Sequence, residues 1–299
     1  MDKLYGSILV LLSAVCFGIM GILAKYAYAS DVSIGTLLFF RFFIAALLFW
    51  SWILYKQIPY RQPLKQMITL FMMGTGGYAL MAILLFTSYS LLPVSLAAMV
   101  MYMYPVFVVI LTSLLYKHSI EISRLMAILF SLAGLYFILG TNFNQINILG
   151  IVCALGTAMV YALYIVQTEK IQNQLSPFLS SAYVTSFAAI ALFLFSMVRQ
   201  DFSLTISSVG WFAIFGIAFF STFVSILTFA MGIERVGSSK AALLSIFEPV
   251  VTVMFSYFLF QDILGPMQKV GIILILVSAM LTHVSRRKIQ PAKNLESSM

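Results

Sequence analysis

The sequence predicts an all-α membrane protein with ten transmembrane helices, arranged as two inverted five-helix repeats. An extreme apolar composition, ten apolar segments and an internal similarity at constant offset predict this fold. The 299 residues are 62% hydrophobic and 9% charged, with a mean hydropathy of +1.05. Soluble domains average roughly 45–50% apolar and about 25% charged residues. The composition therefore excludes an ordinary soluble domain and indicates a lipid bilayer as the surrounding partner.

Apolar segments of membrane-spanning length follow one another along the chain. A bilayer core of about 30 Å needs roughly 20 apolar residues in a helix. Polar or Pro/Gly-marked breaks separate ten such segments, at approximately 4–25, 32–54, 65–87, 93–116, 123–140, 149–168, 177–198, 209–231, 237–260 and 267–285. The first segment lacks a signal-peptide cleavage pattern, so we interpret it as a retained helix. Residues 286–299 are predicted to form a polar cytoplasmic tail.

The distribution of Lys and Arg predicts the orientation, because basic loops stay in the cytoplasm. With the N-terminus in the cytoplasm, 13 of the 17 basic residues fall on that side. The other four are Lys25, Arg41, Arg199 and Lys269. Both termini are then cytoplasmic, and we expect a multi-pass protein of the plasma or inner membrane. The net charge of +8 is explained by loops and tail, and we expect no nucleic-acid partner.

The two halves of the chain align when one is shifted by 144 residues. The pattern A-A-x6-P-V occupies residues 97–106 and recurs at 241–250, and further identities recur in segments one and five. The predicted repeats, 1–144 and 145–285, contain five segments each, so the second enters the membrane in the opposite orientation. Inverted repeats are typical of transporters, with the substrate site between them near the midplane. A duplication kept only for packing is the alternative.

Four stretches carry a family resemblance. Segment one contains FGIMGILAKYA, segment two LLFFRFFIAALL, segment nine SSKAALLSIFEPVVTVMFSYFLFQD and segment ten GPMQKVGIILILVSAML. Together they resemble the EamA-type transporters of the drug/metabolite transporter superfamily over nearly the whole chain. The resemblance implies ten helices around a central cavity and the export of small metabolites, amino acids among them. The acid that usually ends segment nine is Asp262 here, whereas its counterpart in the first repeat is His118, a departure from the family pattern.

An acid within segment nine is the leading site candidate. Glu248 lies about eleven residues into the segment, roughly 16 Å deep at about 1.5 Å per residue and hence near the midplane. An acid there costs about 2.5–3.5 kcal/mol on insertion scales, so it needs a partner or a water-filled cavity. Ser245 and Thr252 fall on the same helical face. We interpret this polar stripe as cavity lining, and helix–helix packing is the alternative.

Two prolines predict helix kinks at equivalent positions of the two repeats. Pro249 follows Glu248 and frees the carbonyl of Ser245 from its helical hydrogen bond. Pro105 follows Tyr104, which takes the place of the acid in the first repeat. The kinks either widen a cavity or serve only structure. The predicted site is chemically asymmetric, with an acid from one repeat and a phenol from the other.

Arg41 is the second charge placed within an apolar segment, at a depth of roughly 14 Å. It has a structural role, bonding helix-end carbonyls or an acid, or it contacts the substrate, or its stem snorkels toward the headgroups. The family resemblance also implies an arginine in this segment. The sequence leaves open whether Arg41 pairs with Glu248.

Five tyrosines complete the candidate substrate-binding or coupling residues. They are Tyr78 in the GTGGY stretch, Tyr102 and Tyr104 in segment four, and Tyr161 and Tyr164 in segment six. Aromatic residues at helical spacing are commonly packing residues, so we expect two or three of the five to line the pathway.

Patterns of catalysis and metal binding are missing from the sequence. Its two histidines, His118 and His283, lie near predicted membrane edges, and H-E-x-x-H does not occur. Cys16 and Cys153 lack the spacing of a zinc site or a disulfide framework. We therefore expect a protein that is not an enzyme and uses neither a metal nor a cofactor.

These observations predict a secondary transporter that exports a small polar or zwitterionic metabolite, such as an amino acid or derivative, by alternating access. Glu248 either neutralises a cationic group of the substrate or cycles a proton. A membrane-embedded sensor or assembly protein that uses a transporter fold without flux is the alternative. The sequence leaves open whether the protein is a monomer or a homodimer.

Overall fold

The computed structural model describes residues 2–92, 97, 100–116, 121–139, 147–260 and 265–284, and every regular element among them is helical. The helices are α1 (Asp2–Gly18), α2 (Met20–Tyr28), α3 (Ile34–Tyr55), α4 (Leu64–Met72), the π-helix π1 (Met73–Ala79), α5 (Leu80–Leu91), α6 (Tyr104–Tyr116), α7 (Ile122–Leu139), α8 (Ile148–Gln172), α9 (Pro177–Arg199), α10 (Ser208–Ala218), the π-helix π2 (Phe219–Val224), α11 (Ser225–Val236), α12 (Ser238–Ser245), α13 (Glu248–Phe260) and α14 (Pro266–Val284). The predicted all-α class is thus confirmed for this part of the chain. His118, Asp262 and the tail 286–299 lie outside the described residues, as does the side chain of His283.

Six helical stretches within the described residues are long and apolar enough to cross a membrane. They are Asp2–Tyr28, Ile34–Tyr55, Leu64–Ser88, Ile148–Gln172, Pro177–Arg199 and Ser208–Val236. Shorter apolar stretches lie in α6, α7 and α14. The number of ten crossings and the repeat boundaries at 144 and 285 stay predictions.

Polar side chains fix the starts of several long helices. The first-turn backbone N–H groups of α3, α8, α9 and α10 donate to the side chains of Ser33, Asn147, Ser176 and Ser207. Such capping satisfies donors that have no partner within the helix. Pro177 is the first residue of α9, where its missing N–H is not needed. Gly237, with φ 82°, makes the left-handed connection between α11 and α12.

Contacts between helix ends define two sides of the bundle. On the side where α1 begins, here the N-terminal side, Gly6 packs against Arg235 near the end of α11. On the opposite side, the Ser33 hydroxyl before α3 donates to the carbonyl of Asp201 after α9. Glu169, near the end of α8, contacts the start of α12 on the N-terminal side. Because α1 starts and α8 ends on the same side, these two helices run in opposite directions.

Apolar side chains occupy both the interior and the outer surface of the bundle. Phe49 and Ile165 are fully buried in the core. Leu114, Ile190 and Phe212 are among the many large apolar residues that are exposed on the outside. An apolar exterior of this extent requires a lipid environment, because soluble monomers rarely expose large contiguous apolar patches.

Two kinds of backbone irregularity recur at nearly the same positions in the two halves. The π-helix Met73–Ala79, shifted by 144 residues, overlaps the π-helix Phe219–Val224. Likewise, α6 begins at Tyr104 and α13 begins at Glu248, each with a proline as the second residue. π-Helical turns inside α-helices are frequent at functional sites. All four irregular places border the site described next.

Candidate functional site

A cavity of about 340 Å³ lies between the helices of the two halves. Its lining residues are Phe17, Met20, Ala24, Tyr28, Leu37, Leu38, Arg41, Tyr78, Met81, Ala82, Leu85, Phe86, Met101, Tyr102, Tyr161, Ile217 and Glu248. The wall runs from Glu248 and Tyr161 toward Tyr28, the last residue of α2 on the opposite side. The cavity therefore lies in the part of the bundle that is away from the N-terminal side. Most of its wall is apolar, with Arg41 and Glu248 as the charged members.

Arg41 enters the cavity wall from α3 and is held by the π-helix π2. Its Nε donates to Thr222 Oγ1 at 2.9 Å, and its Nη2 donates to the carbonyl of Ser221 at 3.4 Å. The widened turn fixes Thr222 itself, whose hydroxyl donates to the Ile217 carbonyl five residues earlier. The Ser221 hydroxyl donates to the Cys16 carbonyl and joins π2 to α1. The guanidinium is thus anchored on one edge through two of its five N–H donors.

Glu248 is the first residue of α13, directly after the break that follows α12. It is partly exposed to the cavity and is hydrogen-bonded by the Tyr102 side chain. A carboxylate at a helix N-terminus is favoured by the unpaired N–H groups there. Within the part of the chain that the structure describes, no ion pair joins Glu248 to Arg41. One cavity therefore holds two opposite charges that do not neutralise each other by direct contact.

Three of the five predicted tyrosines, Tyr78, Tyr102 and Tyr161, line the cavity. Tyr78 lies in π1. The shift of 144 residues between the two halves places it at Thr222 of π2, which anchors Arg41. The Tyr78 ring lies 4.7 Å from that of Tyr164, and the Tyr161 ring lies 4.6 Å from that of Tyr104. An inner layer of tyrosines thus faces the cavity, and a second layer supports it.

Four other predicted site residues lie behind the cavity wall. Tyr104 and Ser245 are buried and hydrogen-bond each other through their hydroxyls at 2.8 Å. Thr252 donates to the Gly18 carbonyl at 3.0 Å and ties α13 to α1. Tyr164 packs behind Tyr78. The hydroxyls of Tyr104, Ser245 and Thr252 are occupied within the protein, and the Tyr164 ring is packed, so in this structure the four residues support the wall instead of lining it.

Pro105 and Pro249 are the second residues of α6 and α13. The backbone between α12 and α13 is irregular at Ile246 and Phe247, directly before Glu248. Proline fits the first turn of a helix, where its missing N–H breaks no helical hydrogen bond. Both prolines therefore stand at helix starts, beside residues that line or support the cavity.

Polar patterns in the sequence did not identify most of the wall. Phe17, Met20, Met81 and Met101 contribute apolar surface, and their segments are apolar throughout, which leaves no local signal. Thr222 was also missed, because its role depends on the π-helical turn that directs its hydroxyl to Arg41. The sequence signal that could have suggested Thr222 is the need of the intramembrane Arg41 for a hydroxyl partner.

The N-terminal side of the bundle is closed below the cavity. Phe49, Ile53, Leu70 and Ile233 have no exposed surface there. The carboxylate of Glu169, near the end of α8, accepts hydrogen bonds from the Ser238 backbone N–H at 3.2 Å and from the Ser238 hydroxyl.

A second hydrogen bond holds the same helix start. The hydroxyls of Thr112 in α6 and Ser239 in α12 are 2.6 Å apart. The short helix α12 is thus fixed at its first turn on the closed side. Its other end, at Ser245, precedes the break that leads to Glu248 in the cavity.

The chain belongs to the EamA-like transporter family, whose model matches residues 4–140 and again 148–284. It is 26% identical over 278 residues to the uncharacterized transporter YcbK of Bacillus subtilis, covering 89% of this chain and 88% of that protein. It is likewise 26% identical over 282 residues to an uncharacterized transporter of Archaeoglobus fulgidus, covering 93% and 96%. A protein known from a crystal structure shares the fold with a TM-score of 0.81 at 16% identity, over 93% of this chain and 96% of its own.

Family membership and the fold together support a membrane transport role. The chain is therefore a protein of the transporter class, and the family membership does not point to an enzyme.

Proposed function

We propose that the chain is a secondary transporter that binds a zwitterionic small molecule, an amino acid or derivative with an apolar side chain, between Arg41 and Glu248. The observation that carries this proposal is the presence in one cavity of two opposite charges that form no ion pair with each other. A buried charge is stable only when it is paired or hydrogen-bonded. A ligand with one carboxylate and one ammonium group supplies an ionic partner to each residue at once.

The rest of the wall favours an apolar group between or beside the two charged ends of the ligand. Phe17, Met20, Met81 and Met101 offer apolar and polarisable surface, and methionine adapts readily to ligands of different shape. The cavity volume of about 340 Å³ lies at the low end of small-molecule sites, roughly 300–1,000 Å³. Ser245, Thr252, Tyr104 and Tyr164 then act as the supporting layer, with Pro105 and Pro249 placing the helix starts that carry it.

The closed N-terminal side and the cavity on the opposite side support transport by alternating access. We interpret the halves 1–144 and 145–285 as inverted repeats, in keeping with the opposite directions of α1 and α8. Transport then requires the N-terminal side to open, which breaks the contacts of Ser238 with Glu169 and of Ser239 with Thr112. Ligand or proton binding at Glu248 is transmitted to these contacts through α12.

The predicted orientation places the N-terminal side in the cytoplasm, so this conformation is open toward the outside. Export then takes two steps. The substrate binds from the cytoplasm while the outer cavity is closed, and it leaves to the outside in the conformation described here. The coupling is a substrate gradient or a proton gradient, with Glu248 as the proton site. We place the protein in the plasma or inner membrane, as a monomer or homodimer.

Flux in proteoliposomes tests the proposal against the alternative of a sensor without flux. Vesicles preloaded with unlabelled zwitterionic amino acids should accumulate the same labelled amino acid by exchange. The control is a Glu248→Gln and Arg41→Gln double variant in matched vesicles. Binding without exchange in the unaltered protein would favour the sensor, and equal exchange in the double variant would refute the assigned site.

A further inference from the structure

A second pocket, lined mainly by polar residues, lies on the closed N-terminal side, away from the central cavity. It has a volume of about 310 Å³ and is lined by Pro63, Lys65, Gln66, Thr69, Gln167, Lys170, Ile171 and Gln174. One wall is the first turns of α4, and the other is the last turns of α8. The positions follow helical spacing on each helix, so two polar helix faces meet across the pocket.

The charge of this pocket is positive. Among its described lining residues, Lys65 and Lys170 are the charged side chains, and no acid is present. Glu169 is adjacent to Lys170 in sequence, but its carboxylate is bound to Ser238 in α12. The partial charges of the two helix ends oppose each other, because α4 begins here and α8 ends here. The two lysines therefore make the net charge of the pocket positive, and the pocket suits an anion.

The amide groups in this pocket indicate which further group the anion carries. Gln66 Nε2 donates to Gln174 Oε1 at 3.2 Å and joins the two walls. Gln66 Oε1 is buried and has no donor among the described residues. An unsatisfied buried acceptor is unfavourable, and a ligand that carries a hydroxyl beside its negative charge supplies the missing donor. Lysine ammonium groups bind phosphate as point charges.

We propose that this pocket binds a phosphate group with a neighbouring hydroxyl, held by Lys65 and Lys170. Such a group reaches the pocket from the headgroup of a hydroxyl-bearing anionic phospholipid or from hydrogen phosphate in solution. The start of α4 and the end of α8 are also ends of candidate membrane spans, so we place them at the level of the lipid headgroups. Under the predicted orientation this is the cytoplasmic leaflet, where anionic lipids attract basic residues. The site is separate from the proposed zwitterion site.

Binding to the purified full-length protein tests the two sources in separate arms. The first arm measures thermal unfolding with inorganic phosphate against chloride at equal ionic strength. The second counts lipids retained in native mass spectrometry from nanodiscs of phosphatidylglycerol, with phosphatidylcholine nanodiscs as the reference. We expect stabilisation or lipid retention in at least one arm, and the responding arm names the source.

Two double variants separate a built pocket from diffuse surface charge. Lys65→Gln with Lys170→Gln should weaken binding about tenfold, equivalent to about 1.4 kcal/mol. Lys56→Gln with Arg61→Gln removes the same charge from the nearby loop and should leave binding unchanged. Lys65→Gln alone, at an exposed position, should shift binding in the same direction without affecting folding. Equal losses in both double variants, or no response in either arm, would overturn the proposal, whatever the fate of zwitterion transport.

Discussion

Arg41 and Glu248 line one cavity from different halves of the chain without forming an ion pair. Arg41 is instead anchored to Thr222 in π2, and Glu248 to Tyr102 before α6. Each charge therefore has a support of its own and keeps hydrogen-bonding capacity for a third partner. This arrangement explains how a membrane-embedded bundle keeps two costly charges. It also assigns the two ends of the proposed ligand.

The first prediction concerns the acid. Glu248→Gln keeps the size of the side chain but removes its negative charge. We expect exchange of a zwitterion to fall about tenfold or more, since a hydrogen bond to a charged group contributes about 1.5–3 kcal/mol. Labelled exchange in proteoliposomes over a pH series is the measurement, and the pH dependence should flatten if Glu248 carries the proton. Glu234→Gln, at an exposed acid on the N-terminal side, is the control. Full exchange with an unchanged pH profile in Glu248→Gln would exclude both roles of this acid.

The second prediction concerns the anchor of Arg41. Thr222→Val has nearly the same volume but lacks the hydroxyl that accepts from Arg41 Nε, so the guanidinium loses its direction. We expect KM for a zwitterion to rise about tenfold, by the same hydrogen-bond energy of about 1.5 kcal/mol, with a smaller change in maximal rate. Thr222→Ser retains the hydroxyl and should restore KM. Equal KM values in the two variants would show that Thr222 does not position Arg41 for binding.

The third prediction concerns the closed side. Glu169→Gln weakens the acceptor that holds the first turn of α12 at Ser238, so the N-terminal side should open more often. A cysteine placed at Thr168, buried beside this contact, should then react severalfold faster with a membrane-impermeant maleimide. The comparison uses a background without Cys16 and Cys153. Glu234→Gln at the same end should leave the rate unaltered, and identical rates in both variants would argue against a closing role for Glu169.

The fourth prediction concerns orientation in the membrane. Asp31 and Gln57 are exposed at opposite ends of α3. In intact cells, an impermeant maleimide should label Asp31→Cys but reach Gln57→Cys only after permeabilisation. The physical basis is the excess of basic residues on the side of Gln57. The reverse labelling pattern would invert the predicted topology and, with it, the proposed direction of export.

Some parts of the site could be predicted from sequence because they conflict with their surroundings. Glu248 and Arg41 are conspicuous as charges within apolar segments, and Pro249 marks the nearby break by its missing N–H. The glycines of GTGGY allow the irregular backbone that the structure describes as π1. These signals are local, so one sequence is sufficient to detect them.

Other parts depend on contacts between distant segments and leave no such signal. The stretch FFSTFV of π2 contains no glycine or proline, although it forms the turn that anchors Arg41. Phe17 and Met101 line the cavity, but equally apolar residues elsewhere face lipid. The polar stripe of α12 and α13 predicts lining residues, yet Ser245 and Thr252 bond within the protein. Tertiary partners decide which polar residues remain available.

Ligand binding to the purified protein tests most directly whether Arg41 and Glu248 recognise the two ends of a zwitterion. Isothermal titration should compare a zwitterionic amino acid that has an apolar side chain with its carboxamide and with its decarboxylated amine. Both analogues should bind more weakly, because each lacks the carboxylate that contacts Arg41. The N-acetyl derivative, which lacks the ammonium group, should weaken through Glu248. Equal affinity for all four compounds would contradict recognition of both charges in this cavity.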